Sequence, residues 1–231
     1  MSCPNDDVMA EARLLANDGS VLEILRRLPA TGEVEVIRDL LKPNSSLLDL
    51  GAGVGRIANR LVEHGYQVTA VDDCADLLAE VRGARTICAR IEELRLPEQY
   101  DGVLLATNLI NYPGIDLRRG VLTTVAHHLK PTGKAIIQWR PPLWFDSYLP
   151  GRTYRRVEGP RAFTRTIHTA RDGIVDGEVT VECDGQIWRQ PTRFQRVTGD
   201  ELRDELDRLG LKLDTSDVES AEWLEVSHLR P

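Results

Sequence analysis

The chain has 231 residues, 28 % of them charged and 42 % hydrophobic, and carries a formal net charge of −7 at neutral pH. That length suits one domain with an elaboration, large enough to bury about 70 % of its unfolded surface, and the acidic surplus argues against a general nucleic-acid binder. No apolar run reaches the length of about eighteen residues that a membrane span needs, and no basic-then-apolar leader is present, so a cytoplasmic protein is expected. Cys3, Cys74, Cys88 and Cys183 show no metal-ligand spacing, which points to reduced thiols.

In chain order, residues 1–44 read as a helical cap, with apolar residues at helical spacing over Asp7 to Leu15, Val21 to Leu28 and Val34 to Leu41. Pro43 and Asn44 break the pattern. Residues 45–140 then alternate strand and helix. Leu47, Leu48 and Leu50 make a short apolar run, as in a strand buried on both faces. Gly51, Gly53 and Gly55 follow, and Ile57, Ala58, Leu61 and Val62 recur at helical spacing up to Gly65, a C-cap. A second strand, Gln67 to Val71, ends at Asp72, and a fourth covers Tyr100 to Ala106. Leu117, Val121, Leu122, Val125 and Leu129 line a helix that stops before the turn Pro131-Thr132-Gly133, and Lys134 to Trp139 is the fifth strand. Residues 141–197 change character. Phe163–Ala170, Ile174–Cys183 and Gln186–Val197 read as three antiparallel strands joined at Asp172-Gly173 and Asp184-Gly185, both strong hairpin signals. In residues 198–231, Thr198 and Glu201 fit a capping box ahead of a helix carrying Leu202, Leu206 and Leu209. Leu211–Leu213 and Trp223–Val226 supply the last strands.

The glycine turn argues about its ligand. Alternating glycines allow positive φ and let a ligand touch bare backbone. A dinucleotide fingerprint needs a small residue at position 56, which here is Arg56. Asp49 sits in the strand end before the glycines, where an acid suits a cation better than a pyrophosphate. Asp72, at the end of the next strand, can accept both hydroxyls of a ribose.

Leu48 to Gly55, together with Asp72, resembles the S-adenosylmethionine site of class I methyltransferases, and the resemblance covers roughly residues 35–140. It implies a Rossmann-like three-layer αβα fold: a mostly parallel sheet with an antiparallel last strand, plus the N-terminal helices and the antiparallel β elaboration. It also implies S-adenosylmethionine as cofactor and S-adenosylhomocysteine as product, held by Asp49, Gly51, Ala52, Gly53, Gly55, Arg56, Asp72, Asp73, Arg90, Ile91 and Thr107. Two positions depart from the family pattern. Arg90 stands where the family has an acid that accepts the adenine amino group, and a guanidinium cannot accept; this leaves the Ile91 N–H and apolar packing as readers of adenine. Asp73 replaces an apolar neighbour of the ribose acid. In the family, leading helices commonly cover the cofactor, so the N-terminal helices here are either a lid or padding for the sheet.

Ligands of open α/β sheets lie beyond the carboxyl ends of the strands. Asn108, Asn111 and Tyr112 after strand four, and Trp139, Arg140, Trp144 and Phe145 after strand five, are therefore expected to contact the methyl acceptor. The alternative for these aromatics is a core that packs the elaboration onto the sheet. Methyl transfer needs chiefly alignment and a dry pocket. Among the histidines only His168 is a candidate base; His64, His127, His128 and His228 read as structural. No acid pair follows strands four and five to hold magnesium as in catechol methyltransferases, so no metal is expected. Asn111-Tyr112-Pro113 is not the motif of amino-directed DNA methyltransferases.

Arg152, Arg155, Arg156, Arg161, Arg165 and Arg171 form a basic stretch that would suit RNA or an acidic carrier protein. Asp172, Asp176, Glu178, Glu182 and Asp184 on the neighbouring strand offer cross-strand partners instead, and that reading is preferred. The expected function is methylation of a small, planar or aromatic metabolite, in specialised metabolism, by a monomer or homodimer. An RNA or protein methyltransferase is the alternative, and a non-catalytic cofactor-binding protein the second alternative.

Overall fold

The structure, a computed structural model, describes residues 20–28, 30 and 32–229. The helix expected over Asp7 to Leu15 lies outside the described residues. The next two expected helices are found as α1 (Ser20–Arg27) and α2 (Glu33–Leu40).

The core is a seven-stranded sheet with strands in the order β10-β11-β5-β4-β1-β2-β3. Its parallel part comprises β1 (Ser46–Leu50), β2 (Gln67–Asp72), β3 (Arg85–Cys88), β4 (Tyr100–Leu105) and β5 (Leu129–Gln138). The crossovers are α3 (Ala58–Glu63), α4 (Ala75–Leu78), a 3₁₀ turn at Ile91–Glu93 and α5 (Ile115–His128). β11 (Trp223–His228) runs antiparallel to β5, and β10 (Leu211–Leu213) antiparallel to β11. The expected sheet with an antiparallel last strand is thus what the chain forms.

Alternate side chains go to opposite faces, as a strand's twofold period demands. Leu48, Leu50, Val103, Leu105 and Ile137 pack with Val121, Leu122 and Val125 of α5 and with Leu202 and Leu206 of α7 (Gly199–Asp207). Leu47, Leu104 and Ile136 pack on the other face with Ile37 of α2 and Ala58 and Leu61 of α3. Three layers result. The capping box forms as expected: Thr198 Oγ1 accepts from Glu201 N at 3.2 Å, and Glu201 Oε2 accepts from Thr198 N at 2.7 Å.

Two details differ from the expectation. Pro131-Thr132-Gly133 is not a turn between elements. α5 runs directly into β5, and these residues are looped out where the register jumps from Tyr100↔Leu129 to Gly102↔Lys134. The elaboration also has four strands rather than three: β6 (Thr153–Glu158), β7 (Arg161–Arg171), β8 (Ile174–Cys183) and β9 (Gln186–Gln195). β6 pairs on one side only and exposes Thr153, Arg155, Arg156 and Val157, so no apolar alternation marked it. The two Asp-Gly hairpins are as expected, with φ of 53° and 75° at Asp172-Gly173 and 51° and 75° at Asp184-Gly185. A third core of Trp144, Phe145, Ile167, Val175 and Phe194 joins this sheet to α6 (Pro142–Ser147).

β7 and β8 approach closely at Gly177, where a Cβ would lie 2.4 Å from the Thr166 carbonyl oxygen. Gly177→Ala should therefore destabilise the fold by about 1–3 kcal/mol. Urea denaturation checks this, and an unchanged midpoint would mean the two strands can separate freely.

Candidate active site

The glycine turn is built by the pairing of β1 with β2. The N–H groups of Gly51 and Ala52 both donate to Val71 O, at 2.8 and 2.9 Å, which bends the chain sharply off the strand. Gly51, Gly53 and Gly55 all adopt positive φ (80°, 55° and 74°), which an L side chain would strain. A Cβ at Gly51 would meet Leu109 Cδ1 at 2.9 Å and Ile91 Cδ1 at 3.6 Å. Ile91 was expected here. Leu109 was not, and nothing in its sequence context marks it.

Asp72 locks the turn to the end of β2. Its Oδ2 accepts from Gly53 N at 2.9 Å and its Oδ1 from Cys74 N at 3.0 Å. Burial nevertheless pushes its carboxyl above the usual range, against the pull of those backbone donors.

Asp49 lies two residues before the turn with only 1 % of its surface exposed, and its Oδ2 has no hydrogen-bond partner. Burial lifts its carboxyl from 3.8 to about 7; Arg56 pulls it down and Asp72 adds to the rise. A buried carboxyl in that state fits a cation placed against it. Arg56 donates to Glu33 Oε1 at 2.5 Å, so the side chain that breaks the dinucleotide pattern ties α2 to the turn.

α1 covers this corner. Leu25 Cδ1 lies 3.5 Å from where a Cβ of Gly53 would be, Arg26 pairs with Glu80 at 2.5 Å, and the Arg27 guanidinium sits 4.1 Å above the Trp188 ring of β9. Ile24 of the same helix is buried. The helix therefore contacts both the glycine turn and the elaboration.

The carboxyl edge of β4 is strained. Thr107 and Asn108 are consecutive non-glycine residues with φ of 61° and 62°, a conformation that is costly for a β-branched threonine and that collects at functional sites. Thr107 N–H donates to Gln138 Oε1 at 2.9 Å. Asn108 is 7 % exposed and its Oδ1 has no partner. Tyr112 stacks against Phe194 at 6.2 Å, and burial together with the Asp72 charge raises its phenol above the usual value. The segment after β4 thus lies close enough to Asp72 to feel its charge.

Several expected contacts are placed elsewhere. Asn111 is fully buried and spent on backbone: its Oδ1 accepts from Arg140 N at 2.6 Å, and its Nδ2 donates to Arg140 O and Gln195 O at 3.2 Å each. It positions Arg140 rather than touching a ligand. Trp139 is 0 % exposed, with its indole N–H donating to Ala221 O at 2.7 Å, and belongs to the main core. Trp144 and Phe145 anchor the third core, so the packing alternative holds for them. Arg90 is exposed and paired with Glu92 and Glu93, turned to its own segment's acids. Asp73 is exposed. His168 is exposed at the bulge where β7 slips past β8, between Ile167 and Thr169, and the geometry gives it no partner in the site.

Residues 47–133 match the sequence profile of a methyltransferase domain. An uncharacterized methyltransferase of Mycobacterium tuberculosis is 35 % identical over 98 residues, 40 % of this chain and 39 % of that protein. The ubiquinone biosynthesis O-methyltransferase of Rickettsia conorii is 29 % identical over 135 residues, 54 % of this chain and 45 % of that one. The chain therefore matches less than half the length of these relatives. The sugar N-methyltransferase KedS8 of Streptoalloteichus superposes with a TM-score of 0.65 over 86 % of this chain and 85 % of its own, at 20 % identity, a likeness of fold. Residues 47–133 carry a methyltransferase domain. The profile begins inside β1 and contains the glycine turn, Asp49, Asp72 and the strained β4 edge.

In this methyltransferase domain Asp49 holds its proton up to about pH 7, whereas in the unfolded chain it ionises near 3.8. The folded state binds the extra proton between those values, so its stability falls as pH rises from about 4 to about 7 and is level above. Asp49→Asn removes this penalty, worth up to about 4 kcal/mol. Urea unfolding of both proteins from pH 4.5 to 8 should show the variant gaining on the wild type as pH rises. Parallel profiles would place Asp49 in water.

Proposed function

We propose that this chain is a methyltransferase that binds S-adenosylmethionine at the glycine corner and methylates a small metabolite at the β4–β5 edge. The observation that carries the reading is Asp49: a desolvated carboxyl with an unbonded oxygen, two residues before the glycine turn and near enough to Arg56 and Asp72 to feel both charges. The residues present fit the cofactor. Asp49 would face its cationic end, Asp72 its ribose, Gly51 and Gly53 its close approach to backbone, and Leu109 and Ile91 its adenine. Arg56, Ala52, Gly55, Asp73, Arg90 and Thr107 remain proposed neighbours, with Arg90 and Asp73 at the exposed rim. When bound, S-adenosylmethionine supplies an electrophilic methyl group on a sulfonium.

The chain's own work is positioning and exclusion of water. α1 closes one side of the corner, and the half-buried Tyr112 ring gives the acceptor a flat wall beside Asn108, whose free Oδ1 can accept from a hydroxyl or amine. Tyr112, like any phenol, is protonated at neutral pH, and burial and the Asp72 charge raise its value further. It is a hydrogen-bond donor, not a base. Alignment of reactants is worth about 7–11 kcal/mol, enough to be the main contribution here. His168 is retained as a base only if the bulge brings it inward.

A ring-shaped acceptor from specialised metabolism is part of this proposal, supported by Tyr112 and by a structural neighbour described as a sugar N-methyltransferase. Against an RNA acceptor, the exposed arginines of the elaboration are partly neutralised, Arg155 by Glu182 and Arg193 by Asp176. No described helix is long and apolar enough to cross a membrane, and we place the protein in the cytoplasm.

S-adenosylhomocysteine at 100 times its Kd should stabilise the protein by about 2.7 kcal/mol, seen as a higher Tm, whereas NAD should give no shift. Asp72→Ala should abolish the ligand-induced shift. It should also lower the Tm without ligand, since two backbone N–H groups lose their acceptor at about 1–3 kcal/mol. A ligand-induced shift that survives in Asp72→Ala would mean the ribose lies elsewhere. Transfer of labelled methyl to a panel of small amines, phenols and sugars tests turnover.

A further inference from the structure

The basic stretch of the elaboration is divided by burial. On the exposed side its arginines find acids: Arg155 pairs with Glu182 at 3.2 Å, Arg156 with Glu158 at 3.1 Å and Arg171 with Asp172 at 3.2 Å. Arg165 points inward from β7 and meets no carboxylate. Its guanidinium carbon lies 5.2 Å from the Trp144 ring centre and 5.7 Å from that of Tyr148, and its Nη1 is buried with no hydrogen-bond partner. Arg140, from the carboxyl edge of β5, lies 5.3 Å from the same Trp144 ring, and its Nε is buried and unbonded as well.

Two half-buried cations thus share one indole, each with one buried nitrogen that lacks an acceptor. They repel each other, and Arg156 repels both; burial and the Arg140 charge press Arg165 down to about 10. Glu222 attracts Arg140 from a distance, yet among the described residues no acid comes within ion-pair range of either guanidinium. Stacking on rings stabilises the charges but leaves the buried Nε of Arg140 and Nη1 of Arg165 without acceptors. Desolvating a cation without an acceptor is costly, and an anionic group placed between the two would satisfy both.

The location says what supplies it. Asn111 holds the Arg140 backbone from the β4 edge, Trp144 contacts Phe194 at 5.9 Å, and Phe194 contacts Tyr112, whose phenol feels the Asp72 charge. We propose that Arg140 and Arg165 form an anion subsite that grips a carboxylate or phosphate group of the methyl acceptor, one aromatic layer beyond Tyr112. The proposal rests on the methyltransferase reading for the word acceptor, while the subsite itself stands on the arginines. Guanidinium forks match both oxyanions bidentately, which lysines could not do. The acceptor is thus an acidic or phosphorylated small molecule rather than a neutral ring.

The test uses the whole chain with pyrophosphate and with malonate at fixed ionic strength, against sodium chloride, reading Tm and calorimetric binding. One of the two anions should bind saturably. Pyrophosphate alone would assign a phosphorylated acceptor and malonate alone a carboxylic one. Arg165→Gln and Arg140→Gln should each weaken that binding at least about tenfold, and Arg165→Gln should raise the Tm without ligand by removing a half-buried charge. Arg165→Lys, which keeps charge but not the fork, guards against a variant that fails to fold and should bind the anion more weakly than wild type. The S-adenosylhomocysteine shift should stay the same in all of them. Anion shifts equal in wild type and variants, or no saturable binding of either anion, overturn the subsite. Loss of the S-adenosylhomocysteine response in wild type, with anion binding intact, would overturn the cofactor reading instead.

Discussion

The parallel pairing of β1 with β2 has to end in a place where the backbone can turn without side chains, and the site depends on that constraint. Val71 O takes two successive N–H groups, from Gly51 and Ala52, and this forces the left-handed conformations that follow. Asp72 then closes the turn by accepting from Gly53. A carboxylate serving two backbone donors is already preorganised, because its orientation no longer depends on the ligand. The cost falls on Asp49, buried two residues before the turn with an oxygen unbonded. The fold therefore stores an unmet acid where the main chain is most open.

Most of the sheet was legible because it obeys periodicities that sequence displays directly. β1, β2, β4 and β5 are apolar runs between turns, and the alternation of Leu47 with Leu48, or Leu104 with Leu105, sends side chains to two cores at once. Local chemistry was equally readable: the Thr198–Glu201 capping box and the two Asp-Gly hairpins need only residues within four positions of each other. β6 was missed because an edge strand that exposes Arg155, Arg156 and Val157 has no buried face to leave a pattern.

The candidate site was legible in proportion to how much of it is backbone. Glycines and the two strand-end acids announce themselves. Side chains around the acceptor do not, since an aromatic or amide after a strand can either face a ligand or tie the chain together. Asn111 and Trp139 do the second: each is fully buried and hydrogen-bonded to main-chain groups more than twenty residues away, a long-range fact no local pattern encodes. Leu109 reaches Gly51 only because Thr107 and Asn108 take left-handed conformations that redirect the chain after β4. Arg165 looked like one of six equivalent arginines. Its place over the Trp144 and Tyr148 rings, with Nη1 buried and unbonded, distinguishes it.

The unmet buried groups also have an order. Asp49 Oδ2, at the end of β1, and Asn108 Oδ1, beyond β4, lack donors; Arg140 Nε, beyond β5, and Arg165 Nη1, on β7, lack acceptors; Glu33 Oε2 on α2 is the fifth such atom among the described residues. Folding tolerates such groups one at a time, because each costs a sizeable part of a domain's marginal stability. Asp49 and Asn108 stand at the carboxyl ends of β1 and β4 and Arg140 follows β5, so three unmet groups share one edge of the main sheet, with Arg165 reaching toward it from β7. A cationic cofactor and an anionic acceptor would each relieve the end they occupy, and neither would be well received at the other. On the proposed reading, their charges would set the direction in which the two ligands lie and would bring the reacting atoms toward Asn108 and Tyr112, between the two ends.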